Sequence, residues 1–150
     1  VVLPLLRAQG SGHILPVSSG AGLIALPTGG VYSSTKFAVN ALGDTLAQEV
    51  AGFGIKVTII EPGPFNTDFS GSSLIASTPM PEYAAIHEQM AKFMDPASFP
   101  DPRETIPPLM RAIDMAEPPL HLLMGDMLPM IEQIYEKRLE TLRQGAALSD

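Results

Sequence analysis

Gly12-His13-Ile14-Leu15-Pro16-Val17-Ser18-Ser19-Gly20-Ala21-Gly22 runs from an apolar segment into a glycine-rich turn, and Val31-Tyr32-Ser33-Ser34-Thr35-Lys36-Phe37-Ala38 then opens a segment of helical period. His13 to Ser18 suits a buried strand that runs into a loop. Gly20 to Gly30, with Gly22, Pro27, Gly29 and Gly30, is turn-rich. From Val31 to about Val50 the residues Ala38, Ala41, Leu42, Thr45, Leu46 and Glu49–Val50 recur at i, i+3, i+4. Ala, Leu, Gln and Glu favour helix there, and Gly52 and Gly54 mark its end.

Working outward, residues 1–9 read as the end of a helix stopped by Gly10-Ser11-Gly12. Ile55 to Ile60 is rich in β-branched residues and reads as a buried parallel strand, stopped by Pro62, Gly63 and Pro64. Residues 65–100 form a long connection. Within it Pro81 to Met94 has helical period, with Tyr83, Ile86, Met90 and Phe93 on one side. Asp101-Pro102-Arg103-Glu104 resembles a capping box, and Pro107-Pro108 predicts one turn, a kink, then helix to about Ala116. Leu120 to Met124 reads as a brief strand. Asp126 is the expected cap of a last helix whose buried stripe is Leu128, Ile131, Ile134, Tyr135, Leu139 and Leu142. Alternating helices and strands imply a parallel sheet covered by helices, within one domain spanning 1–150.

The chemistry-bearing residues are Ser19, Tyr32 and Lys36. Tyr32 and Lys36 are four apart on a helix, so their side chains share a face. An ammonium beside a phenol favours the phenolate, and a tyrosine so placed can exchange a proton with an alcohol or carbonyl oxygen. Ser19, at the end of the strand, could hold the same oxygen. By themselves these residues read first as a helix surface pair and a turn serine. The spacing of thirteen from Ser19 to Tyr32, the Ser34-Thr35-Lys36 step and the later Glu61-Pro62-Gly63-Pro64-Phe65-Asn66-Thr67 carry more.

Jointly, these segments resemble the active-site region of short-chain dehydrogenase/reductases, closely over residues 1–69 and in element order over 100–145. The resemblance implies an α/β, Rossmann-like doubly wound parallel sheet. It also implies an oxidoreductase that moves a hydride between NAD(P) and a carbonyl or alcohol. NADP is the slightly preferred form. In such enzymes Tyr32 would be the general acid/base. Lys36 would favour its ionised form and bond the nicotinamide ribose, and Ser19 would orient the substrate oxygen. Backbone groups at Pro62, Gly63 and Phe65, with the Thr67 hydroxyl, would face the nicotinamide carboxamide. Residues 70–100 would be the substrate lid. Its Met80, Tyr83, Met90, Phe93 and Met94 could line an apolar pocket for a small apolar alcohol or ketone. The family's opening strand, Gly-rich turn and pyrophosphate-binding helix find no match, nor does its Asn-Ala-Gly segment. The chain is therefore expected to be the C-terminal part of the fold, without the N-terminal Gly-rich half. The alternative is a catalytically incompetent fragment or a non-catalytic binding module. Family members pair through the helix before the Ser strand and the helix carrying Tyr32, so a homodimer or homotetramer is expected at full length.

Composition narrows the field. The net charge is −7 and falls on residues 61–150, so nucleic-acid binding is not expected. No run of 18 apolar residues predicts a membrane span. The absence of cysteine excludes thiolate metal sites and a Cys nucleophile, and fits a cytoplasmic location. The opening Val1-Val2-Leu3-Pro4 shows neither a signal peptide nor a natural beginning. His13, His87 and His121 lack metal-ligand spacing, so no metal is expected. Ser33-x-x-Lys36 also matches the nucleophile step of penicillin-binding serine hydrolases, but the accompanying Ser-x-Asn and Lys-Thr-Gly elements are missing. Glu132, Glu136, Lys137, Glu140 and Arg143 read as a solvated helix face.

Overall fold

The structure, a computed structural model, describes residues 1–71, 74 and 77–149. The lid expected over 70–100 thus includes four positions, 72, 73, 75 and 76, outside the described residues. The first helix, α1 (Val2–Gln9), ends where Gly10 adopts a left-handed conformation and its N–H bonds the Leu6 and Arg7 carbonyls. Strand β1 (Gly12–Ile14) follows. Helix α2 (Gly30–Val50) leads through a 3₁₀ turn to Gly54, also left-handed. A Cβ at Gly54 would strike the Gly10 carbonyl, so these two chain reversals touch and need glycine.

The expected strand over 55–60 is two consecutive runs, β2 (Ile55–Val57) and β3 (Ile59–Pro62). β2 pairs in parallel with β1, His13 opposite Lys56. β3 pairs in parallel with β4 (His121–Met124), Ile60 opposite Leu122. The partner changes at Thr58, which is fully buried. Its N–H bonds Ile14 O at 3.0 Å, its Oγ1 donates to Pro119 O at 2.8 Å, and His13 Nε2 lies 2.9 Å from Thr58 Oγ1. Pro16 lacks an N–H and interrupts β1, yet pairing resumes beyond it: Ser18 N–H bonds Ile60 O at 2.8 Å. Segments 12–18, 55–62 and 121–124 therefore lie side by side in that order, and parallel as expected.

α2 lies on the central segment. A Cβ at Gly43 would sit 2.6 Å from the Ile59 side chain, so glycine permits close approach. At the far end Val50, Ile55 and Val57 form a buried cluster, joined by Leu3 and Leu6 of α1 and by Leu46. Each such side chain contributes roughly 1.5–3 kcal/mol by leaving water. The sheet-facing positions of α2 are Ser33, Asn40, Gly43 and Val50. The periodic set read from sequence divides differently: Leu46 is half-buried, whereas Ala38, Ala41, Thr45 and Leu42 (71 % exposed) face outward.

After the residues that follow β3 comes α3 (Ala84–Phe93), entered by a 3₁₀ turn at Pro81–Tyr83. Asp101 accepts from Arg103 N–H and caps a 3₁₀ turn, Pro102–Thr105. α4 (Ile106–Asp114) then carries Pro107 and Pro108 in its first turn, where missing N–H groups cost little. The last helix, α5 (Leu128–Ala146), corrects two expectations. Its N-cap is Met127, whose carbonyl takes the first helical bond from Ile131, so Asp126 stands one residue too early to cap it. Of the expected buried stripe only Ile131 is buried and Ile134 half-buried; Leu128, Tyr135, Leu139 and Leu142 are exposed. The period was that of an amphipathic helix, but only its first turns meet the body of the protein. The charged face at 132–143 is exposed as expected. No helix among the described residues is long and apolar enough to cross a membrane.

Candidate active site

Parallel strands deliver their C-terminal ends to one edge, and loops there collect the functional side chains. Ser19 follows β1 in extended conformation and caps a 3₁₀ turn, Gly20–Gly22. Its Oγ accepts from Ala21 N–H at 3.1 Å and donates to Pro62 O at 3.4 Å, which ties the Ser19 loop to the end of β3. Tyr32 and Lys36 occupy the first two turns of α2. The Lys36 ammonium stands 5.8 Å from the Tyr32 ring centroid and donates to Val17 O at 3.3 Å. The Tyr32 ring packs at 5.5 Å on Phe69 and remains 37 % exposed. Among the described residues no hydrogen bond engages the Tyr32 hydroxyl.

Gly22 lets the loop press on α2: a Cβ there would lie 2.9 Å from Lys36 O and 2.6 Å from Ser18 Oγ. Ser18 Oγ itself donates to Lys36 O at 3.1 Å. The stretch after β3 completes the edge. Gly63 N–H bonds Met124 O at 2.8 Å, and Thr67 Oγ1 accepts from Phe69 N–H at 3.3 Å. Pro62 O and Gly63 N–H are thus already engaged within the chain. The N–H groups of Phe65 and Thr67 and the Thr67 hydroxyl proton are not engaged by another described residue. All seven residues singled out in the sequence — Ser19, Tyr32, Lys36, Pro62, Gly63, Phe65 and Thr67 — line one cleft of about 600 Å³.

The segment 90–99 contributes apolar side chains to the cleft. Met90, Phe93, Met94 and Phe99 line the cleft, together with Phe69, Met127 and Met130. Met80 and Tyr83, expected there too, are exposed and do not line it. Lys36 is the one charged side chain among the described lining residues.

A second group was not foreseen. Glu61, fully buried at the end of β3, accepts from Asn40 Nδ2 at 2.8 Å and lies 2.9 Å from His121 Nδ1. His121 Nε2 stands 3.0 Å from Asp44 Oδ1, at ion-pair distance but outside hydrogen-bond alignment. Asn40 Nδ2 also donates to Gly22 O at 3.1 Å. Burial pushes the Glu61 carboxyl above its ordinary value, and the Asp44 charge adds to this; the bonds and charge from His121 and the Asn40 bond act against it. The sequence signal was a carboxylate directly after the apolar run Val57–Ile60. Its partners are 21 and 60 residues away, beyond any local pattern. Among the described residues no group of three or more His, Asp or Glu side chains is arranged to hold a metal ion.

Residues 1–76 match the short chain dehydrogenase family profile. Oxidoreductase BOA17 of Botryotinia fuckeliana is 42 % identical over 127 residues, which span 83 % of this chain and 46 % of that protein. The 3-ketodihydrosphingosine reductase of Bacteroides thetaiotaomicron is 43 % identical over 75 residues, 50 % of this chain and 28 % of that protein. A crystal structure of a short-chain dehydrogenase from Streptomyces avermitilis superposes with a TM-score of 0.85 at 33 % identity, over 98 % of this chain and 55 % of that one. The chain belongs to the short-chain dehydrogenase family, and its parallel strands and helices are the Rossmann-like fold of that family. It spans about half the length, or less, of the relatives it matches.

Proposed function

We propose that this chain carries the substrate and nicotinamide half of an NAD(P)-dependent oxidoreductase acting on small apolar alcohols or ketones. The observation that carries the reading is the convergence of Ser19, Tyr32, Lys36 and the 62–67 loop on one cleft. The residues fit the nicotinamide-ribose end of a dinucleotide. Lys36 spends one N–H on Val17 O and keeps two donors for ribose hydroxyls. Phe65 N–H, Thr67 N–H and the Thr67 hydroxyl suit a carboxamide. When bound, the dinucleotide supplies or accepts the hydride at the carbinol carbon. Tyr32 gives a proton to the substrate oxygen in reduction and takes it back in oxidation, and Lys36 favours the charged form of that phenol. Ser19 Oγ, held in place by Ala21 N–H, orients the same oxygen by turning its one proton to it from the long 3.4 Å bond to Pro62 O. Met90, Phe93, Met94 and Phe99 exclude water and offer no partner to a charged substrate. NADP is the slightly preferred dinucleotide.

The outward face of α2, with Leu42 71 % exposed between Ala38, Ala41 and Thr45, is the surface on which the full-length protein forms a homodimer or homotetramer. Residues 1–150 alone favour a second reading, a binding module without turnover, because the family's opening strand, Gly-rich turn and pyrophosphate-binding helix find no match in their sequence. The test joins residues 1–150 to the preceding half of the Streptomyces avermitilis relative. Such a chimera reduces apolar ketones with NADPH or NADH, and its Tyr32→Phe variant does not. A folded, cofactor-binding chimera that turns over equally with Phe at that position would refute the assignment.

A further inference from the structure

Three loops must meet for the cleft to exist: the Ser19 turn, the Lys36 turn of α2, and the 62–67 loop. One side chain touches the supports of all three. Asn40 stands one helical turn after Lys36 and is 6 % exposed. Its Nδ2 donates to Gly22 O at 3.1 Å, in the turn that Ser19 caps, and to Glu61 Oε1 at 2.8 Å, in the residue before Pro62. Both amide hydrogens are thereby used across segments distant in sequence. Glu61 Oε1 is in turn met by His121 Nδ1 at 2.9 Å from β4. Buried polar groups of this kind are costly unless paired, so their bonds fix a geometry rather than merely decorate it. The adjacent Ser18 Oγ to Lys36 O bond locks the same two segments from the other side.

We infer that Asn40 and Glu61 are positioning residues, a buried clamp that holds the Ser19 turn, the Lys36 turn and the 62–67 loop in one alignment. The inference rests on the proposed function for its catalytic consequence, but its structural part stands on the chain alone. The charged or titratable groups facing the clamp are Asp44 on α2 and His121 on β4, both within the same contact set. An aspartate at position 40 would face the Glu61 carboxyl, and the pair could stay bonded only while sharing a proton.

The first test is amide hydrogen exchange on residues 1–150. Asn40→Leu should speed exchange across residues 18–24 by about 10-fold or more, while α1 and α5 change by less than about 2-fold. Uniform acceleration everywhere would mean a general packing role and overturn the inference, and so would no change at 18–24. If Asn40→Leu does not fold, Asn40→Asp carries the test. Its 18–24 segment should be protected at pH 5 and lose protection relative to α1 by pH 8; equal behaviour of the two segments would overturn the inference. In the chimera, Asn40→Leu should lower kcat per cofactor-binding site by about 10-fold with KM within about 3-fold. Glu61→Leu should do the same and Glu61→Gln, which keeps an acceptor for Asn40, should recover most of the loss. If Tyr32→Phe abolishes turnover while Asn40→Leu leaves kcat intact, the clamp fails and the functional reading survives. If Tyr32→Phe is active, the functional reading fails, and exchange at 18–24 alone decides the clamp.

Discussion

Gly22→Ala places a methyl group where the loop and α2 touch. Its backbone is not left-handed, so alanine can adopt the conformation and only space is at issue. The new Cβ would lie 2.6 Å from Ser18 Oγ, 2.9 Å from Lys36 O and 3.0 Å from Lys36 C. Ser18 could rotate away, but only by giving up its bond to Lys36 O, worth about 0.5–1.5 kcal/mol. The Lys36 carbonyl belongs to helix backbone and cannot move alone. Overpacking of this kind costs about 1–3 kcal/mol. Alanine offsets about 0.4–1 kcal/mol by restricting the unfolded chain. The net loss is about 1–3 kcal/mol, which at about 2–4 °C per kcal/mol lowers Tm by about 2–12 °C. Thermal melting of residues 1–150 followed by circular dichroism measures it. Gly52→Ala is the control: nothing lies within 4 Å of a Cβ there, so the same reduction in unfolded entropy should leave Tm unchanged or slightly raised. If both variants melt with the parent, the close approach of loop and helix is not what holds this end of the site.

Tyr32→Phe in the chimera should lower kcat by at least about 10²-fold with dinucleotide affinity little changed, measured by steady-state kinetics and calorimetry. Residues 1–150 alone should show no micromolar binding of NADH or NADPH in a fluorescence titration, because ribose and carboxamide contacts are too few to order a flexible ligand; tight binding would contradict this. Glu61 has its carboxyl raised by burial, so the folded state holds its proton more tightly than the unfolded chain. Its contribution is full at low pH and is lost as pH rises from the unfolded value through the folded one. Denaturant titrations should therefore show Glu61→Gln gaining on the parent between pH 4 and pH 8, and a constant difference across that range would count against it. His13 behaves oppositely: burial first, then Lys56, lowers its value, so its contribution is present above the unfolded value and lost as pH falls through the folded one. His13→Gln, which cannot take up that proton, should flatten the parent's decline in denaturant midpoint below about pH 6.5.

What could be read from the sequence was what local chemistry decides. The helix carrying Tyr32 and Lys36 follows from helical period and the two glycines after it, and it runs Gly30–Val50 against an expected Val31 to about Val50. Parallel pairing of 12–18, 55–62 and 121–124 followed from alternation of elements. The convergence of Ser19, Tyr32, Lys36 and Thr67 on one cleft is what the resemblance to short-chain dehydrogenases implied, not what any one spacing could show. Periodicity tells that a helix has an apolar side, not what that side meets, so the α5 stripe was misjudged beyond Ile131. Asp126 was a plausible cap by residue type, but Gly125 turns the chain at φ 90° and the helix begins two residues after Asp126. Glu61, Asn40, Asp44 and His121 meet only after three elements have docked, and no short-range pattern encodes that meeting.

The exchange of partners at Thr58 has a kinetic consequence. Among the described residues no two adjacent strands are joined by a hairpin: Thr58 reaches back 45 residues to His13 and forward 61 to Pro119. Two long loops must close before the central segment has both neighbours, and each closure loses chain entropy before any pairing repays it. α2 and α5 can form early from contacts within themselves, whereas the sheet must wait for a collapse that brings remote segments together. The rate-limiting ensemble of folding should therefore be organised around Thr58, with the helices already wound and the three strands meeting last.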